Sequence, residues 1–155
     1  MITKSLAVFG DELFPRVGKG LSTKKRKEAL FVVTEVLKHT KPELVYLMPT
    51  KGTNVAIPPI CNELDIPYIL VSPYKEFYTE VPEDFFISGS MKKCKSFITI
   101  SESNPDTDEE REVLHQEATD FCANTALATL FIHSAKPTTK FINFMNEMID
   151  RRDVR

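Results

Sequence analysis

Short apolar runs alternate with longer amphipathic stretches along this chain, and that alternation narrows its fold more than any other feature. "SLAVFG" (5–10), "ELVYLM" (43–48), "PYILVS" (67–72), "SFITIS" (96–101) and "ATLFIHS" (128–134) each read as a strand. Between and after them the spacing predicts helices: 22–39, capped by Ser22 or Thr23; a second over 54–64; a short one within 82–94; one from Asp108 to Asn124; and a last over 138–152. Each right-handed crossover lays a helix across one side of the sheet, so five strands in this arrangement predict a covered sheet. The expected fold is a single α/β domain, a Rossmann-like three-layer sandwich with a five-stranded, mostly parallel sheet and helices on both faces. Pro58 and Pro59 complicate the second helix. Proline fits only a first turn, so the regular part is expected from Ile57 to about Asp65, with 50–56 left as a loop.

At 155 residues the chain is long enough to bury roughly two-thirds of its extended surface, and it needs no second domain. A net charge of -2 gives no global reason to expect nucleic acid. Three widely spaced cysteines, Cys61, Cys94 and Cys122, indicate neither a disulfide framework nor a metal-binding CxxC site. The apolar stretch at 5–9 stops at Gly10, far short of the ~20 residues of a membrane span. The expectation is a soluble, cytoplasmic protein.

Sheets of this kind bind ligands at the carboxyl ends of their strands, near the point where strand order reverses. The candidate loops are therefore 9–15, 48–55, 72–78, 101–108 and 133–139. Familiar catalytic signatures are absent from them. "GDELFPRVGKG" lacks the GxxxxGK[ST] spacing, since Leu13 stands at the first glycine position and Gly20 follows Lys19. No GxGxxG occurs, and "SGS" at 88–90 does not extend to GxSxG. His39 reads as a cation at a helix carboxyl end and His115 as part of a solvated face, whereas His133 falls at a strand end and is kept as a candidate lining residue.

Two charge clusters have ordinary explanations. Arg16, Lys19, Lys24, Lys25, Arg26 and Lys27 read as a solvated helix face, with only Phe14 to offer stacking, so nucleic acid is disfavoured as a partner. The acidic run Glu102 to Glu112 lacks the spacing of a calcium loop and reads as solvated and helix-capping; no metal site is assigned. Phe141, Ile142, Phe144, Met145 and Met148 recur at helical spacing as a core-facing stripe, which a homo-oligomer interface would extend.

"LAVFGD", "ELVYLMPTKGTNVAIPPICNELDIPYILVSPY" and "HQEATDFCANTALATLFIHSAKPTTKFINF", taken in that order, resemble the SLOG superfamily of Rossmann-like nucleotide-binding proteins, which includes the Lonely Guy phosphoribohydrolases. The resemblance implies ligand contacts from Gly10 and Asp11 after the first strand. It implies others from Thr50, Lys51, Gly52, Thr53 and Asn54 after the second, and from Ser134, Thr138, Thr139 and Lys140 after the fifth. The chain departs from the family at several glycines: of the second loop only Gly52 remains, and Pro137 stands in the last loop. The glutamate of the PGGxGTxxE loop, which assists N-glycosidic cleavage in phosphoribohydrolases, is missing; Lys140, Phe141 and Ile142 follow the two threonines.

Loops that lead into helix amino ends present unpaired N–H groups and partial positive charge, which suits phosphate. The resemblance therefore implies a protein that binds a nucleotide or nucleotide-derived small molecule without a defined catalytic group and without a cofactor. Two alternatives stay open: an N-glycosidic hydrolase or transferase using Asp11, Glu76 or Glu102, and a nucleic-acid or protein interaction module using segment 16–27.

Overall fold

The structure, a computed structural model, describes residues 4–10, 23–50, 53–77, 93–133 and 137–153. Five strands form one sheet: β1 (Ser5–Gly10), β2 (Leu44–Leu47), β3 (Tyr68–Tyr74), β4 (Ser96–Ser101) and β5 (Ala128–Ile132). Their order is β4-β3-β2-β1-β5, and every pairing is parallel, with Ala7 beside Tyr46, Phe9 beside Phe131 and Leu70 beside Phe97. The α/β sandwich expected from the sequence is the one observed. Successive strands from β1 to β4 step in one direction, and the chain then returns across the sheet to place β5 on the other side of β1. Strand order reverses at β1.

Alternation along the strands divides the core into two layers. Leu6, Val8, Val45, Leu47, Tyr68 and Leu70 pack against α1 (Thr23–Thr40), through Val33 and Leu37, and against α2 (Thr53–Glu63), through Ile57, Ile60 and Cys61. Their neighbours Ala7, Phe9, Ile69 and Val71 face the other way. They meet Ala118, Cys122 and Ala123 of α3 (Asp108–Thr125) and Met148 of α4 (Thr139–Asp153). Small residues on α3 let it lie close to the sheet, while fully buried Leu37, Leu47 and Leu70 each contribute about 1.5–3 kcal/mol by leaving water.

Several boundaries differ from the sequence reading. Helix α2 starts at Thr53 instead of Ile57, and both prolines lie inside it. The carbonyls left without helical donors are those of Asn54 and Val55, and Pro58 is fully buried, so packing outweighs the proline penalty here. The helix ends at Glu63 instead of Asp65. Asp65 takes a positive φ of 56° while Ile66 N donates to the Cys61 carbonyl at 2.8 Å, an aspartate standing where helix ends usually have glycine. Strand β3 runs through Pro73 to Tyr74, beyond its expected stop at Ser72. Past Leu70 it pairs only with β4, so the missing proline N–H falls on a side with no ladder to break.

Helix α3 begins as its sequence suggests. Thr107 accepts from Glu110 N at 3.1 Å, and Glu110 Oε2 accepts from Asp106 N at 2.9 Å, a capping exchange that uses the acidic run. At the opposite end of the sheet, Leu127 N donates to Ser5 Oγ at 3.0 Å and fixes the start of β5 beside the start of β1. The short helix expected within 82–94 lies almost wholly outside the described residues, as does most of the basic segment 16–27. Among the described residues no helix is long and apolar enough to cross a membrane.

Candidate functional site

At the carboxyl end of β2 the backbone turns sharply. Thr50 N donates to the Met48 carbonyl at 2.8 Å across a fully buried Pro49. Asn54, in the first turn of α2, reaches back to the same place: its Nδ2 donates to the Met48 carbonyl and to Thr50 Oγ1, each at 3.0 Å. The Met48 carbonyl thus takes two donors, and the helix amino end is tied to the strand it follows. From the other side of the sheet Thr119 Oγ1 lies 3.6 Å from Met48 Sδ, a weak contact that places α3 over the same strand end.

A second helix amino end lies beyond β5. Thr138 caps α4: its Oγ1 accepts from Phe141 N at 3.1 Å and its carbonyl accepts from Ile142 N at 3.0 Å. The first turn of α4 then leads into an aromatic cluster. Phe144 stands edge-on to Phe9 of β1 with ring centres 5.3 Å apart, and to Phe131 at 6.1 Å; Phe141 lies 5.8 Å from Phe144. Phe131 belongs to β5, so these contacts hold α4 against the two strands where the order reverses.

Between these parts lies a cleft of about 450 Å³. Its floor comes from Phe9 and Gly10 of β1 with Met48 and Thr50 after β2, and Asn54 closes one side. Glu112, His115, Gln116 and Thr119 form the α3 wall; Thr138, Lys140, Phe141 and Phe144 form the α4 wall. The volume suits a small organic ligand, and an apolar lining with a few placed polar groups is the usual character of such sites. Lys140 supplies a cation beside the amino end of α4, and Glu112 a carboxylate on the facing helix.

Five of the residues expected to touch a ligand come together here: Gly10, Thr50, Asn54, Thr138 and Lys140. Thr139 opens α4 but is exposed and does not line the cleft. Thr53 is the first residue of α2. Asp11, Lys51, Gly52 and Ser134 lie outside the described residues. His133 also fails to line the cleft; it is exposed, with its ring 5.9 Å from that of Phe141. Neither Glu76 nor Glu102 lines it, and both are exposed.

His115 corrects the sequence reading in the other direction. Instead of a solvated face it is half-buried on the cleft wall, edge-on to Tyr74 at 6.1 Å and to Phe77 at 5.2 Å. The α3 contribution as a whole was missed, although Glu112, His115, Gln116 and Thr119 share one face at helical spacing beside the small residues Ala118 and Cys122. That small-residue face was the available signal that this side of α3 meets the sheet. The α4 stripe is also corrected at one position: Phe141 and Met148 are buried, but Ile142 is 39% exposed.

Among the described residues no group of three His, Cys, Asp or Glu side chains is placed to hold a metal ion. Among the described residues the cleft offers two helix amino ends, the lysine Lys140, hydroxyl and amide groups, and flat aromatic surface. No protein-family model matches the sequence, and no curated protein matches it significantly.

Proposed function

We propose that this protein binds a nucleotide or nucleotide-derived small molecule in the cleft at the carboxyl ends of β1 and β2, as a binding or sensing protein of the SLOG type. One observation carries the reading: the amino ends of α2 and α4 converge on a single cleft that Phe9, Phe141 and Phe144 also line. The α4 end, with Lys140 and the dipole of its helix, suits an anionic group, and the rings suit a heterocycle. The cleft lies where strand order reverses, the usual ligand position in open parallel sheets.

Thermal unfolding in the presence of nucleoside monophosphates tests it. At a hundred times its dissociation constant, a ligand stabilises the folded chain by about 2.7 kcal/mol, a shift of several degrees. Lys140→Met should weaken a monophosphate about tenfold and leave the matching nucleoside unchanged. No shift with any nucleotide, and none recovered from the purified protein by mass spectrometry, would defeat the proposal.

A second reading has one observation in its favour. Glu112 and His115 bring a carboxylate and an imidazole to the wall, groups able to move protons during N-glycosidic cleavage. Release of free base from a bound nucleotide, abolished by Glu112→Gln, would favour the hydrolase.

A further inference from the structure

The amide of Asn54 has one chemically sensible orientation. One of its terminal atoms lies 3.0 Å from the Met48 carbonyl, which can only accept, so that atom is Nδ2. The second Nδ2 hydrogen goes to Thr50 Oγ1, also at 3.0 Å. Both donors are therefore committed within the protein. The residue is only 3% exposed, and its Oδ1 meets no hydrogen-bond partner among the described residues. A buried acceptor in that condition is unusual in a folded protein. Asn54 lines the cleft, as does Thr50, whose hydroxyl accepts from Nδ2 and retains its own hydrogen to give.

From this geometry we infer that the occupant of the cleft donates a hydrogen bond to Asn54 Oδ1 and accepts one from Thr50, so that an uncharged edge of the ligand, not its phosphate, sits at the amino end of α2. The inference rests on the cleft being the ligand site, and it divides the two helix ends that the sequence treats alike. A carbonyl oxygen repels an anion, so the unpartnered Oδ1 of Asn54, a lining residue at the amino end of α2, disfavours phosphate there even though the helix dipole favours it. The anion is left to the α4 end. The donor that satisfies Asn54 is an exocyclic amino group of a base or a sugar hydroxyl; both give the same chemistry.

Titration calorimetry on the unaltered protein separates these sources. Adenosine monophosphate is compared with purine riboside monophosphate, which lacks only the amino group, and with its two singly deoxygenated ribose analogues. The expected result is that one of the three losses weakens binding at least tenfold, identifying the donor as amino or hydroxyl, and that Thr50→Val reduces the same discrimination. If adenosine monophosphate binds and all three analogues match it within a factor of two, the assignment to Asn54 fails while the ligand site stands. If no nucleotide binds, the site itself fails and this inference with it.

Discussion

The side-chain nitrogen of Asn54 lies 3.0 Å from the carbonyl oxygen of Met48, joining the first turn of α2 to the end of β2 inside the protein. This contact requires a donor at position 54. In Asn54→Asp the carboxylate would face a carbonyl with nothing to donate, and burial would raise its folded pKa above the ordinary value near 4. A raised folded pKa means the variant's carboxyl binds a proton more tightly folded than unfolded. Its deficit is therefore smallest at acid pH and grows as pH rises through that folded pKa. Urea unfolding should show a loss on the order of 3 kcal/mol at pH 7 and a much smaller one near pH 4. Equal deficits at both pH values would contradict the buried contact.

Thr138 is expected to act first as a helix cap. Removing its hydroxyl in Thr138→Ala leaves Phe141 N without its acceptor and should cost about 1 kcal/mol, whereas Thr138→Ser should cost much less. Chemical denaturation of both variants without ligand measures this. Equal stability for alanine and serine would remove the cap.

The exposed Pro59 inside α2 offers a gain in stability. Alanine there restores the N–H that can reach the Val55 carbonyl and relieves the constraint on Pro58, so Pro59→Ala should raise stability by on the order of 1 kcal/mol. A fall in melting temperature would mean that proline's restriction of the unfolded chain outweighs the lost bond.

Burial pushes the thiols of Cys61 and Cys122 up from 9.0 to about 12. Both stay protonated in the folded chain through a range in which the unfolded chain releases them. Their contribution to stability is full below pH 9 and is lost as pH rises toward 12. Thiol labelling at pH 8 should modify half-buried Cys94 first, and the other two only as the protein unfolds. Rapid labelling of all three in native protein would contradict their burial.

The elements that sequence made legible were those with strong periodicity. All five strands were located from their apolar runs, and α1, α3 and α4 from their spacing, because a half-buried element must repeat at its own period. Departures arose where tertiary context outweighed local preference. Pro58 belongs to a helix because its ring is buried in the core, and β3 passes Pro73 because one flank of the strand is unpaired there. The site was legible in the loops that enter α2 and α4, which gave Thr50, Asn54, Thr138 and Lys140. Its α3 wall was not, since Glu112, His115 and Gln116 look like any solvated helix face until the fold lays that helix over β3, with Thr119 against Met48 at the end of β2. Asn54 itself was expected only as a ligand contact, and its hydrogen bonds to Met48 and Thr50 reveal that its donors are spent.

The neighbouring positions of β1 and β5 also bear on how the protein is made. Ser5 and Leu127, bonded to each other, stand 122 residues apart in sequence, and the wall that Phe144 builds against Phe9 is threaded later still. During synthesis β5 is the last strand to emerge, so the flank of β1 that does not pair with β2 stays open until then. No amino-terminal fragment can assemble the cleft, because Thr138, Lys140, Phe141 and Phe144 of its wall come from the start of α4.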